Sequence, residues 1–160
     1  TEFRSEFVGK SSPVHFFWGA MDLAVTRLSG KPAPEHPGGM PHVSDTIMKE
    51  AYSHEVMSCG FWPGNEMYQK AAFYAYSYPV PDSLKDQKLS VSGASYNQDL
   101  GEFVLDYETV LKSEDPARVI RDFFEASYEK IADLLDWDRK ALEYSPFLSQ
   151  MQERMSSLNS

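Results

Sequence analysis

The sequence predicts an α+β fold, a mainly antiparallel β-sheet with C-terminal helices packed on one face. Three observations point there. Segments with strand patterning come first and helical ones last, the turns between strands are too short for parallel crossovers, and the apolar period lengthens from two to three and four after Asp115. The 160 residues suit a single domain, with residues 150–160 a polar, frayed tail. A hydrophobic fraction of 42% supplies enough apolar surface to offset the entropy of ordering, which excludes wholesale disorder.

Phe3 and Phe7, four apart among Glu2, Arg4 and Glu6, pattern the last turns of an amphipathic helix that Gly9 stops. Val14–Leu28, rich in β-branched and aromatic residues, is one long strand bulged at Gly19 and largely covered on both faces. Ser29 to Gly39 is loop, because Pro32, Pro34, Pro37 and three glycines interrupt it. Ser44-Asp45 opens a short helix to Lys49, and a strand runs from near Ala51 to Phe61. Trp62-Pro63-Gly64-Asn65 is a turn. Ala71 to Tyr78 is a strand with Tyr74, Tyr76 and Tyr78 on one side and Phe73 and Ala75 on the other.

Leu89 to Tyr96, interrupted by serines and Gly93, is an edge strand. Glu102 to Tyr107 alternates, with Phe103, Leu105 and Tyr107 inward and the carboxylates outward. From Asp115 as N-cap and Pro116 at the first helical position, Ile120, Phe123, Phe124, Ser127, Ile131, Leu134 and Leu135 mark one face of a helix of about five turns. A shorter helix beyond Trp137-Asp138 carries Leu142.

Charge and cysteine content narrow the functional classes. Fifteen basic against 24 acidic residues leave a net −9, which disfavours nucleic acid and anionic membranes as partners. The longest apolar stretches fall short of the ~20 residues needed to cross a bilayer. Cys59 alone can form neither an internal disulfide nor a zinc site, consistent with an acidic cytoplasmic protein.

Candidate chemistry centres on the histidines, whose ordinary pKa suits proton transfer near neutrality. His36 and His42 lie in or beside the Pro/Gly loop, His15 opens the first strand, and His54 precedes Glu55. His54-Glu55 is not a His-Glu-x-x-His zinc helix, since residue 58 is Ser and adjacent strand residues point to opposite faces, so no metal site is assigned. If the first strand and the Tyr52–Phe61 strand are neighbours, His15 or Asp22 can face His54, giving the imidazole–carboxylate pair that acid–base catalysis needs. Asp22, Arg27 and the histidines can equally serve a structural network, in which Asp22 takes Arg27, Lys10 or a histidine as partner.

Phe16, Trp18, Tyr52, Phe61, Trp62, Tyr74, Tyr76 and Tyr78 suit an aromatic core, a partner interface or the wall of a small-molecule pocket. Ser53, Ser58 and Cys59 are the available nucleophiles, but none stands in a Gly-x-Ser-x-Gly elbow, and Cys59 in an apolar strand reads as a buried hydrophobe. The glycines at 38 and 39 lack the Lys-Ser/Thr of a phosphate loop.

The segments Ser12-Pro-Val-His15-Phe-Phe-Trp18-Gly-Ala-Met-Asp22-Leu-Ala-Val-Thr-Arg27, Glu50-Ala-Tyr52-Ser-His54-Glu55-Val, Gly60-Phe-Trp62-Pro-Gly64 and Ala72-Phe73-Tyr74-Ala-Tyr76 resemble an uncharacterised bacterial family whose name records only unknown function. The resemblance continues through Leu100–Tyr107 and Tyr128 to Trp137-Asp138. It implies a two-halved protein of which this chain is the C-terminal half, so that a missing N-terminal half or a homodimer would cover an apolar face. It supplies no catalytic residue, cofactor or substrate.

The leading expectation is therefore a small-molecule binder whose pocket is lined by His15, Asp22, His54, Tyr52 and the Tyr74–Tyr76 strand, with Trp18, Arg27, Glu55 and Trp62 as further contacts. The alternatives are a hydrolase in which His54 is a base oriented by a carboxylate, with or without a metal, and an interaction domain that pairs through its aromatic face.

Overall fold

A computed structural model describes residues 2–39 and 43–145. His42 and the 150–160 tail lie outside the described residues. The elements run in the order α1 (Glu2–Ser5), β1 (His15–Phe17), β2 (Asp22–Pro32), α2 (Asp45–Ala51), β3 (His54–Trp62), β4 (Ala72–Tyr78), a single 3-10 turn (Leu84–Asp86), β5 (Ala94–Asn97), β6 (Glu102–Asp106), α3 (Tyr107–Leu111), α4 (Pro116–Leu134) and α5 (Arg139–Leu142). One six-stranded sheet has the order β1-β2-β3-β4-β6-β5, and every pairing is antiparallel. The class is α+β, as the short connections require.

Period-two alternation gives the sheet two distinct faces. On one face, Val25, Met57, Cys59, Phe73, Ala75, Phe103 and Leu105 join Phe123, Tyr128 and Ile131 of α4 in the buried core. Asp115 caps α4 by accepting from the Arg118 amide at 3.0 Å, with Pro116 in the first turn. On the other face stand Ala24, Ser58, Gly60, Tyr74, Tyr76 and Val104, and among the described residues α2 and the adjoining loop approach it at the Tyr76–Tyr78 end.

Several local expectations are corrected. Val14–Leu28 is not one strand but a hairpin, β1 and β2, turning at residues 18–21 with Phe17 opposite Asp22. The turn uses Met21 at φ 56, a left-handed conformation that side-chain-bearing residues seldom adopt, so its residue types carry no turn signature. Both faces are not covered either: β1 is an edge strand, and Trp18 at the turn is 80% exposed. The Ser29 to Gly39 loop begins later than expected, because β2 continues to Pro32 through an irregular stretch after Leu28, where Gly30 takes φ 85.

Helix α1 ends at Ser5 rather than at Gly9, whose lack of a side chain serves packing: a Cβ there would stand 2.6 Å from Leu142. Of the Leu89–Tyr96 segment only the part from Ala94 is strand, and that strand ends one residue later, at Asn97, on the sheet edge. Tyr107 opens α3 instead of completing β6, yet its ring still meets Phe61 and Phe73 at 5.6 and 6.2 Å. Among the described residues no helix is long and apolar enough to cross a membrane.

Arg27 ties the helices to the sheet. It is 1% exposed on the α4-facing side of β2. Its guanidinium donates to the Phe3 carbonyl and to Glu125 of α4 at 3.3 and 3.4 Å, and lies over the rings of Phe3 at 3.5 Å and Tyr128 at 4.3 Å. Burial pushes the Glu125 carboxyl up to about 7, against the pull of the guanidinium.

Gly60 of β3 sets the geometry of the other face. A Cβ there would fall 2.1 Å from the Leu23 carbonyl oxygen, so β2 leans over β3 at this one bare position.

Two stability outcomes follow. Gly60→Ala forces β2 away and costs about 1–3 kcal/mol in urea unfolding. Glu125→Ala orphans the buried guanidinium and costs about 3 kcal/mol, whereas Arg27→Met, which removes the charge and leaves Glu125 free to take up a proton, costs less. Equal losses for the last two would show that the pair is not what holds α4 to the sheet.

Candidate functional site

The open face, the one that α4 does not cover, carries a row of hydroxyl-bearing aromatics that crosses the sheet, packed so closely that Tyr74 is only 6% exposed. Tyr74 and Tyr76 stand two apart on β4 with their rings stacked at 6.1 Å. The Tyr74 hydroxyl donates to the Asp22 carboxylate at 2.6 Å, and the Tyr76 hydroxyl shares a 2.9 Å hydrogen bond with Tyr52. Asp22 reaches Tyr74 across β3 because β2 leans over Gly60, the residue paired with Tyr74. Beneath the row, Thr26 donates to Ser58 at 3.0 Å.

Beyond Tyr52 the row continues as His36, stacked on Tyr52 at 4.9 Å and tilted against Tyr78 at the same distance, its Nδ1 accepting from the Gly38 amide. At the opposite end Trp62 stacks on Tyr68 at 6.1 Å, and Tyr68 donates to Asp106, which also holds Lys70 at 3.0 Å.

Glu102 of β6 is the unusual member. It shares this face with Tyr74, and among the described residues its carboxyl has no hydrogen-bond or ion-pair partner. Burial pushes its pKa up to about 7, and the Asp22 charge adds to the rise. Burial likewise raises the Tyr74 and Tyr76 hydroxyls, followed by the Asp22 hydrogen bond for Tyr74 and the Tyr52 hydroxyl for Tyr76, so both stay neutral donors. Near neutral pH the face thus presents the Glu102 carboxyl close to its midpoint, beside the Asp22 carboxyl that accepts from Tyr74 and the neutral phenols of Tyr74 and Tyr76. This arrangement can bind a cation or a hydroxylated molecule and exchange a proton with it.

Of the residues expected at a site, Asp22, Tyr52, Tyr74 and Tyr76 come together. The histidines do not join them. Strands β2 and β3 are neighbours, but the antiparallel register sets His54 opposite Pro32, whereas Asp22 lies at the far end beside the Leu23–Phe61 pair. His54 is exposed and shares a 3.1 Å contact with Ser53, while Glu55, on the opposite face, accepts from Ser29 at 3.0 Å. Among the described residues no imidazole–carboxylate pair forms around His54. His15 is exposed on the edge strand, packed edge-on against Phe17 at 4.5 Å.

Arg27 cannot partner Asp22 or a ligand on this face, because an odd spacing of five along a strand points them to opposite sides. Trp18 stands out on the hairpin turn, against Phe16 at 5.1 Å, and Trp62 is half-buried at the margin of the row. Cys59 is fully buried with its thiol pushed up by that burial, and Ser58 is buried too, so neither can act as a surface nucleophile. Among the described residues no group of three or more His, Cys, Asp or Glu is placed to hold a metal ion.

Glu102 was not singled out in the sequence, and His36 was placed in the Pro/Gly loop without being assigned to a pocket. Glu102 sits in a strand of clean alternation, and the sequence signal that could have marked it is its place beside the tyrosine face of β4 in the ladder, which register alone reveals.

The matched family model covers residues 1–144 and carries the description "Family of unknown function (DUF5996)"; the chain belongs to this family. No curated protein and no solved structure matches it.

The Glu102 titration has a sign. Its folded-state pKa lies above the unfolded 4.5, so burial of the ionised form subtracts stability as pH rises from 4.5 through about 7 and nothing below. Glu102→Gln is therefore expected to be more stable than the parent at pH 8 by on the order of 1–3 kcal/mol and equal to it at pH 4, as followed by thermal unfolding. A difference independent of pH would show that the carboxyl is solvated in the folded state.

Proposed function

We propose that this member of a family of unknown function binds a small organic cation with an aromatic or hydroxylated body on the open face of its sheet. The reading is carried by one arrangement: Glu102 stands half-buried on the same face as Tyr74 and its partner Asp22, without a hydrogen-bond or ion-pair partner among the described residues, and the Asp22 charge opposes its ionisation. A bound ammonium would relieve that opposition. Asp22 and ionised Glu102 would accept its hydrogen bonds, and the ring surfaces nearby would cover its apolar part through cation–π and stacking contacts. Tyr52, Tyr74 and Tyr76 hold Asp22 and the ring walls in place through their hydroxyl chain.

Because the cation favours ionised Glu102, binding releases a proton below pH 7 and tightens as pH rises from 6 to 8.

Tyramine, an ammonium joined to a phenol, is the probe, with 4-ethylphenol as its uncharged counterpart. Amide chemical shifts are expected to move around Asp22, Tyr74 and Glu102. Asp22→Asn and Glu102→Gln should each weaken tyramine at least tenfold, about 1.4 kcal/mol, without weakening 4-ethylphenol. Equal affinity for the two probes, or shifts scattered away from this face, would overturn the reading.

A further inference from the structure

On the α4 side of the same sheet, a cavity of about 500 Å³ opens between β2, β3 and β4 and the first turns of α4. That volume lies within the ~300–1,000 Å³ of small-molecule sites. Phe61, Phe73, Ile120 and Phe124 form its walls, and Cys59 and Gly60 its floor. It is not a sealed packing defect: Val14 and Leu23, at 41% and 44% exposure, leave its mouth apolar and open to solvent. Water inside would find few of the polar partners it needs, so an apolar occupant is favoured over a polar one.

Among the described residues the charged side chains at this cavity are Glu2 and Arg121, which meet at 3.1 Å. We propose that the cavity is a second binding site, independent of the open face, for an amphiphile with an apolar body and a carboxylate head. The two rim groups differ in how much they would lose. Glu2 is 75% exposed, Arg121 46%. An incoming carboxylate replaces Glu2 on the guanidinium like for like, and the released Glu2 returns to water in which it already stands. A cationic head would instead displace Arg121, the less solvated partner, against net repulsion from it. The body of the amphiphile then removes from water the aromatic walls that the open mouth leaves wetted.

Decanoate, decanol and decyltrimethylammonium, each below its micelle concentration, separate head from body in calorimetric titrations. Decanoate is expected to bind most tightly. Arg121→Gln should lower decanoate to the affinity of decanol, a loss of at least tenfold, and leave decanol unchanged. Ala117→Phe, at the mouth on α4, and Leu23→Trp, half-exposed on β2, should each weaken decanoate and decanol alike, with far-ultraviolet circular dichroism confirming the fold; two blocking variants keep the test sound should one fail to fold. The proposal is overturned if decanol or the cation binds the parent as tightly as decanoate, or if neither blocking variant reduces binding.

Discussion

The close approach of β2 to β3 at Gly60 shapes both faces of the sheet. A strand that leans toward one side withdraws from the other. On the open face the lean delivers Asp22 to the Tyr74 hydroxyl; on the α4 face it leaves room beside Leu23, Cys59 and Phe61 that the side chains of α4 do not fill. Any residue with a Cβ at position 60 would straighten the pair, since that atom would meet backbone rather than a flexible side-chain end. Gly60 thus pairs with Tyr74 of the polar row and also lines the apolar cavity.

What keeps the lean from spreading is the Arg27 cluster farther along β2. Burying a guanidinium is costly unless its donors and its faces are both occupied. Here Glu125 and the Phe3 carbonyl take the terminal nitrogens, Nε finds no partner among the described residues, and Phe3 and Tyr128 take the faces, so α1, α4 and β2 are fixed together. Glu125 is raised despite this ion pair because it gives up more hydration than one guanidinium at 3.3 Å returns. An arginine that first suggested ligand contact is instead the post to which the helices are tied, and its polarity made those two roles indistinguishable in the sequence.

Elements governed by local periodicity were legible; features governed by register were not. The tyrosines at 74, 76 and 78 declared β4 and its faces, and Asp115-Pro116 declared the start of α4, because each signal lies within a few residues. The hairpin at 18–21 was hidden, since Met21 enters the left-handed region without a glycine or asparagine to announce it. Adjacency of the strands bearing Asp22 and His54 was anticipated, yet an antiparallel register running from Leu23–Phe61 to Pro32–His54 places the two at opposite ends. Asp22, Tyr52, Tyr74 and Tyr76 were named and do converge. Glu102 escaped because an outward residue of an alternating strand becomes half-buried only when a neighbouring strand carries large rings on the same face.

The same alternation divides the labour of β2. Its even positions, Asp22, Ala24 and Thr26, serve the tyrosine row, while its odd positions, Leu23, Val25 and Arg27, serve the cavity and the core. A one-residue slip would exchange these sets, placing a carboxylate against Phe61 and a guanidinium beside Tyr76, and the cost of burying both charges unpaired makes that register inaccessible. Strand register, chemical identity of each face and the separation of the polar row from the apolar cavity therefore rest on one constraint: Arg27 is satisfied beneath α4, and Asp22 is then directed to the side where Tyr74 waits.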